Sequence, residues 1–166
     1  DDVDDGDANY TIQIGPVTSN DNSYQALDPD DINIVNEDDD KAGVTVSAIS
    51  GSTSEDGDSA TFTVELNSEP SDAVTIELVS SQVDEGTVAP DMLNFNAVNW
   101  NVAQTVTVTG VDDTVIDRDI LYTIQLNPIN ASGTEYDGID PDDVEVTNLD
   151  NEPLPNDIFD SNFEDN

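Results

Sequence analysis

Apolar and polar residues alternate with a period of two along most of the middle of the chain. The segment 60–66 reads Ala-Thr-Phe-Thr-Val-Glu-Leu, and 74–78 reads Val-Thr-Ile-Glu-Leu. This period is typical of half-buried β-strands. Together with Gly, Pro, Asn and Asp clusters as boundaries, it predicts seven strands, lettered A to G, at 44–49, 60–66, 74–80, 92–96, 104–111, 121–127 and 144–148. Seven short strands in one repeat-sized segment fit an all-β fold, an immunoglobulin-like seven-stranded antiparallel β-sandwich.

The alternation also predicts which side chains form the core, because one phase of each strand faces inward. The opposite phase, mostly Thr on strands B and E, should face solvent. The predicted core residues are Phe62, Val64, Ile76, Leu78, Val106, Val108, Tyr122, Ile124 and Val146.

The chain contains an internal repeat, in which residues 1–40 align without a gap on 113–152 with 16 identities. The matched block includes Tyr-Thr-Ile-Gln at both 10–13 and 122–125. We therefore interpret 1–40 as the C-terminal part of a preceding repeat (strands F and G), 41–152 as a complete repeat and 153–166 as an acidic C-terminal tail. Because a two-stranded unit is marginal in water, residues 1–40 should need a covering partner to be ordered.

The composition narrows the classes of function. The chain has 39 Asp and Glu against 2 Lys and Arg, a net charge of -37, and neither His nor Cys. Thiol and Ser-His-Asp chemistry and the usual zinc sites are therefore excluded, and we expect no enzyme. A chain with this negative charge repels nucleic acid and anionic lipid. It also has no apolar run of the ~20 residues that membrane insertion requires. Its acidic start is unlike a signal peptide, so any secretion signal should lie upstream or have been removed. Cations are the expected partners.

The acidic residues are nearly absent from the predicted strands. This location favours a metal site over a general salt-tolerant surface, which would also have acids on the strand faces. Predicted strands B, C, E and F contain only Glu65 and Glu77. In a seven-stranded sandwich, the A–B, C–D and E–F loops and the segment after strand G meet at one end. These segments are rich in acids, which would repel one another unless a hard cation with 6–8 oxygen ligands bound them; we expect Ca²⁺. Each single Asp could equally be only a turn former.

Several of these segments resemble the Calx-beta repeat. They are Ser-Glu-Asp-Gly at 54–57, Val-Asp-Asp at 111–113, Tyr-Thr-Ile at 122–124 followed by Asn-Pro at 127–128, and Asp-Asn-Glu at 150–152. Asn-Trp-Asn-Val at 99–102, followed by 104–113, is similar to the tandem Calx-beta-like repeats of large bacterial surface and secreted proteins.

The resemblance implies a calcium-binding sandwich. Its implied ligands in the complete repeat are Glu55, Asp84, Asp112, Asp113 and Asp150. In the partial repeat the corresponding candidates are Asp1, Asp2, Asp38, Asp39 and Asp40. The turn before strand F adds Asp117, and Asp5 in the partial repeat. In the complete repeat this turn departs from the acidic family pattern through Arg118, which implies fewer ions or a weaker site.

The leading functional hypothesis is a calcium-binding structural and adhesive repeat module of an extracellular or cell-surface protein of a Gram-negative bacterium. Neighbouring repeats would be its partners. The tail 153–166 is similar to the endings of some secreted Gram-negative proteins. One alternative is a filament of identical chains, in which another chain completes the partial repeat by strand addition. A third, a carbohydrate-binding module, would need an aromatic platform, and the chain has few aromatic residues.

Overall fold

The architecture is that of a computed structural model, which describes residues 1–25 and 27–152. All regular structure in these ranges is β, in eleven strands. The strands are β1 (Ala8–Ile12), β2 (Ile32–Asn36), β3 (Val44–Val46), β4 (Thr53–Ser54), β5 (Ser59–Leu66), β6 (Val74–Ser80), β7 (Gly86–Ala89), β8 (Met92–Phe95), β9 (Gln104–Gly110), β10 (Ile120–Leu126) and β11 (Val144–Leu149). Within these ranges no helix is long and apolar enough to span a membrane. The predicted tail, 153–166, lies outside the described residues.

The complete repeat is a two-sheet, sandwich-like structure. One sheet has the order β4-β11-β10-β6-β8, and the other has the order β3-β5-β9-β7. Side chains from both sheets form one continuous hydrophobic core. All pairs are antiparallel except β11 with the short strand β4, which run parallel. The chain crosses from one sheet to the other between β3, which lies within the segment predicted as strand A, and β4, which follows that segment.

The all-β prediction is confirmed, but the strand count of the repeat differs from the predicted one. Each of the seven predicted strands is present, with bounds that differ from the expected ones by at most three residues, and β4 and β7 are additional. Both are too short to show a period: β4 has two residues and β7 has four. They form because β11 and β9 offer free edges, which is a property of the assembled sheets and not of the local sequence.

The predicted core is confirmed in full. All nine side chains expected to face inward are buried in the single core cluster. Thr61 and Thr105 on the opposite phase are exposed, so the predicted register is correct. Trp100 packs against the edge of the core.

The N-terminal strands repeat the last two strands of the sandwich. Pairing of β1 with β2 runs from Ala8 opposite Asn36 to Ile12 opposite Ile32. Pairing of β10 with β11 runs from Ile120 opposite Asn148 to Ile124 opposite Val144. Each pair is the other displaced by 112 residues, so the internal repeat is a repeat of structure as well as of sequence. We name residues 1–40 the N-terminal hairpin, 41–112 the A–E unit and 113–152 the F–G unit.

Two hydrogen bonds join the N-terminal hairpin to the complete repeat. The Glu69 amide donates to the Asp2 carbonyl oxygen at 2.6 Å, and the Ala42 amide donates to Asp4 Oδ2 at 2.8 Å. Seven residues, 37–43, separate β2 from β3. The acidic end of the hairpin therefore lies directly against the next repeat.

Ile124 and Ile12 occupy equivalent positions in the two hairpins, but only Ile124 is buried. Ile124→Ala should lower the free energy of unfolding by about 2–5 kcal/mol, because it leaves a cavity in the core. Ile12→Ala should change it by about 0.5 kcal/mol or less. Denaturant titration followed by Trp100 fluorescence measures both, and equal losses would show that Ile12 is covered as Ile124 is.

Candidate metal centre

Seven carboxylates gather at one end of the sandwich in three overlapping groups. Within each group, one oxygen of every residue lies within 4.8 Å of the others. The groups are Glu55 with Asp112 and Glu152; Glu55 with Asp117 and Asp150; and Glu85 with Asp113 and Asp117. Since Glu55 and Asp117 each belong to two groups, the three groups form one continuous cluster, which we call the acidic cluster.

Four segments of the chain supply the acidic cluster. Glu55 directly follows β4, and Glu85 directly precedes β7. The connection from β9 to β10 supplies Asp112, Asp113 and Asp117, and the segment after β11 supplies Asp150 and Glu152. The two strands that the sequence pattern did not predict, β4 and β7, therefore each position an adjacent glutamate of the cluster.

A buried polar network lies beneath the acidic cluster. Thr53 Oγ1 lies 3.1 Å from the Tyr122 hydroxyl and donates to Asn148 Oδ1 at 3.0 Å. Asn148 Nδ2 donates to the Val111 carbonyl oxygen at 3.2 Å and to Glu85 Oε2 at 3.4 Å. A β-carbon at Gly110 would overlap the Ser54 carbonyl oxygen, so the backbones pack here as closely as they can. The network fixes the strand ends from which the carboxylates project.

Two members of the acidic cluster are unusually buried for carboxylates. Glu55 is 3% exposed and Glu85 is 8% exposed. Glu55 Oε2 accepts a hydrogen bond from the Asn151 amide at 3.0 Å. Asp117 Oδ1 and Glu152 Oε2 are buried atoms without a hydrogen-bond partner in the described structure. Buried carboxylate oxygens need a proton, a donor or a cation, so these two atoms mark positions where the cluster would take up a proton or a cation.

Mutual repulsion and burial shift the pKa values of several members upward. The adjacent carboxylates of Glu55 and Asp150, with which Glu152 can share a proton, raise the pKa of Glu152 to about 7. Burial, followed by the charges of Asp113 and Glu55, raises the pKa of Asp117. Burial also raises the pKa of Glu85. These carboxylates hold protons where ordinary surface acids do not, because losing the proton would add charge to an already negative site.

Backbone amides hold Asp150 in its ionised form. Its carboxylate accepts hydrogen bonds from the amides of Glu152 at 3.1 Å and Arg118 at 3.0 Å, and these bonds lower its pKa. Arg118 has a φ of 71°, in the left-handed region. The equivalent residue of the N-terminal hairpin is Gly6, with a φ of 80°, and its amide donates to Asp38 at 2.7 Å. The turn therefore requires a left-handed residue to aim an amide at the aspartate.

The acidic cluster contains most, but not all, of the predicted ligands of the complete repeat. Glu55, Asp112, Asp113, Asp117 and Asp150 belong to it, whereas Asp84 belongs to none of the three groups. Its neighbour Glu85 takes part instead, and Glu152 is the second member that the ligand prediction omitted. The onset of β7 at Gly86 decides between positions 84 and 85, since Glu85 is buried and Asp84 is exposed. The Asp-Asn-Glu sequence at 150–152 was the available signal for Glu152.

Five of the six predicted ligands of the N-terminal hairpin lie around one cavity. A cavity of about 240 Å³ is lined by Asp1, Asp5, Asp38, Asp39 and Asp40, whereas Asp2 does not line it. Backbone hydrogen bonds lower the pKa of Asp38, and burial beside Asp39 raises the pKa of Asp40. No three acids of this hairpin meet within 4.8 Å among the described residues. The hairpin lacks equivalents of Glu55, Glu85 and Asp112, all of which belong to the A–E unit.

Comparisons with known proteins do not extend this description. No protein-family model matches the chain, and no curated protein matches it. A solved structure of WR4, a C. elegans member of the MSP family, aligns with 60% of this chain and 90% of its own, at 15% identity and a TM-score of 0.37. A likeness of this size carries no argument about this chain.

The raised pKa of Glu152 predicts how stability depends on pH when no metal is present. Its pKa is about 7 in the folded chain against an ordinary 4.5, so the folded state holds the proton more tightly. The resulting stabilisation is complete below about pH 4.5 and is lost as pH rises through about 7. Glu152→Gln should flatten this part of the profile, measured as the denaturant midpoint in chelator.

The matched control for this pH series is Glu145→Gln, which changes an exposed glutamate on the outer face of β11. It should leave the wild-type profile intact. A Glu152→Gln protein that kept the full wild-type slope would contradict the assignment of the shared proton to Glu152.

Proposed function

We propose that this chain is a calcium-binding structural and adhesive repeat module of an extracellular bacterial surface protein, built as an immunoglobulin-like, Calx-beta-like sandwich. In this proposal the acidic cluster holds Ca²⁺ and ties its loops together. The chain is not an enzyme in this proposal. The observation that carries it is the convergence of seven carboxylates, two of them buried glutamates, on one end of the sandwich.

The electrostatics favour a bound cation strongly. Two carboxylates about 4 Å apart repel by about 4 kcal/mol at an effective dielectric constant near 20. The acidic cluster contains several such pairs, because every group holds three acids within 4.8 Å of one another. Protonation relieves part of this repulsion at low pH, and a cation would relieve it at neutral pH without requiring the loops to separate.

The chemistry of the ligands favours calcium over other metals. The cluster offers carboxylate oxygens, and the chain has neither the His nor the Cys that zinc sites use. Calcium accepts 6–8 oxygen ligands at about 2.3–2.6 Å in flexible geometries, whereas magnesium requires a strict octahedron. Seven carboxylates in overlapping groups offer enough oxygens for more than one calcium ion. In this proposal Glu55 and Asp117 would bridge neighbouring ions, because each belongs to two groups.

The proposed mechanical role follows from where the ligands lie in the chain. Each of the three groups joins residues of the A–E unit to residues of the F–G unit. A cation held by any group would therefore oppose separation of the two units. The Asp38–Asp40 segment lies at the junction with the next repeat, so bound cations there would also stiffen a chain of repeats.

The alternative function, a filament of identical chains, is less favoured than the calcium-binding module. The reason is the number of F–G hairpins relative to A–E units. Residues 1–152 contain two hairpins of the F–G type, 1–40 and 113–152, and one A–E unit. Strand exchange among these residues alone therefore leaves one hairpin per chain uncovered and gives no gain in buried apolar surface.

Calcium should stabilise the folded chain, and the gain should depend on the acidic cluster. At a hundredfold excess over its dissociation constant, a single bound ion adds about 2.7 kcal/mol. The double variant Asp113→Asn with Asp117→Asn should lose most of this gain while keeping the fold, because the amides retain oxygen atoms but lose charge. Thermal unfolding in chelator and in millimolar calcium measures the gain, and isothermal titration measures binding.

Asp84→Asn is the matched control for the double variant, because it removes a nearby acid that lies outside the three groups. It should keep the calcium-dependent gain. If the wild-type melting temperature is the same in chelator and in calcium, and sodium chloride alone restores any lost stability, the acids are a salt-adaptation coat and the proposal is wrong.

A further inference from the structure

The inner face of the N-terminal hairpin carries apolar side chains without a covering layer. The F–G unit contributes seven side chains to the buried core of the complete repeat: Tyr122, Ile124, Leu126, Ile129, Tyr136, Val144 and Val146. The equivalent positions, 112 residues earlier, are Tyr10, Ile12, Ile14, Val17, Tyr24, Ile32 and Ile34. All seven are apolar or aromatic. Six are between 36% and 54% exposed, and Ile34 is half-buried.

The backbone of the hairpin is set in the same conformation as that of the F–G unit. The Ile14 amide donates to Asp31 at 2.9 Å, as the Leu126 amide donates to Asp143 at 2.9 Å. The Val17 amide donates to the Leu27 carbonyl oxygen at 2.9 Å, and the equivalent bond joins residues 129 and 139 at 2.8 Å. Together with the shared strand register, these bonds give the inner face the shape that the A–E unit covers in the complete repeat.

We propose that the inner face of the N-terminal hairpin is a docking surface for a second A–E unit, that is, a β-sheet unit of the kind formed by residues 41–112. The intramolecular interface between the A–E and F–G units is the template. On the A–E side its core consists of apolar side chains, among them Phe62, Val64, Val106 and Val108. The acids that the A–E unit brings, including the buried Glu55 and Glu85, lie at one end of this interface and outside the core cluster.

A second copy of this chain is a poorer occupant. The A–E unit at residues 41–112 of that copy is already covered by the F–G unit that follows it in the same chain. Direct contact between two N-terminal hairpins would bring together two sets of acids around the cavity that Asp1, Asp5 and Asp38 line, without the neutralising groups of an interface. The A–E unit is therefore the occupant that the geometry fits.

The test attaches a copy of residues 41–112 directly before Asp1 of the full chain, which reproduces the spacing of the complete repeat. Amide hydrogen exchange is measured by mass spectrometry on residues 8–14 and 32–36, with 120–126 as an internal reference. Exchange in the N-terminal strands should slow by at least about tenfold relative to the parent chain. The measurement is made in calcium and in chelator, so that loss of docking and loss of calcium dependence are distinguishable.

Two variants of nearly equal exposure provide the control. Ile32, 49% exposed, lies on the inner face, and Val35, 50% exposed, lies on the outer face of the same strand. In the extended protein, Ile32→Asp should abolish the slowed exchange and Val35→Asp should retain it. In the parent chain the two variants should behave alike, which separates docking from damage to the hairpin itself.

Three outcomes would overturn the docking proposal. The first is unchanged exchange in the extended protein in both buffers. The second is an equal effect of Ile32→Asp and Val35→Asp. The third is a parent chain whose N-terminal strands become protected as concentration rises while its mass doubles in light scattering, because a second copy would then occupy the face.

Discussion

The contact between the A–E unit and the F–G unit is the interaction on which the rest of this structure depends. It buries the inner faces of two sheets in one core, and that core holds seven side chains of the F–G unit. The same contact assembles the acidic cluster, because every group of three carboxylates takes members from both units. Apolar burial is the favourable term, and it brings together charges that would otherwise stay apart.

This coupling explains why carboxylates repel one another at the acidic end of the sandwich, whereas the strands carry almost no charge. Burial of Glu55 and Glu85 follows from the positions of β4 and β7, whose pairing is set by the sheets beneath. Burial raises the pKa values of Glu85 and Asp117, and the neighbouring carboxylates of Glu55 and Asp150 raise the pKa of Glu152. A cation bound as proposed would therefore compete with protons for the same oxygens, and both would act on the stability of the A–E to F–G contact.

The sequence was informative wherever a strand was long enough to show its period. Residues 59–66 and 104–110 display inward and outward phases, so the core could be predicted residue by residue. The two-residue strand β4 has no period to detect, and β7 depends on an edge of β9 that only the folded sheet provides. The ligand prediction named Asp84, whereas Glu85 belongs to the cluster. This difference also depends on β7, since the residue at which β7 starts decides which side chain is buried.

Comparing the N-terminal hairpin with the complete repeat shows which members of the acidic cluster each unit contributes. It keeps the aspartates at 1, 5 and 38 and the amide bonds that orient Asp38, yet it forms no group of three close carboxylates among the described residues. The missing members are those that an A–E unit supplies. In a chain of repeats, covering each F–G face would therefore complete both a core and an acidic cluster, next to the point where the following repeat begins. Stiffness at that junction would depend on hydrophobic docking first and on cation binding second.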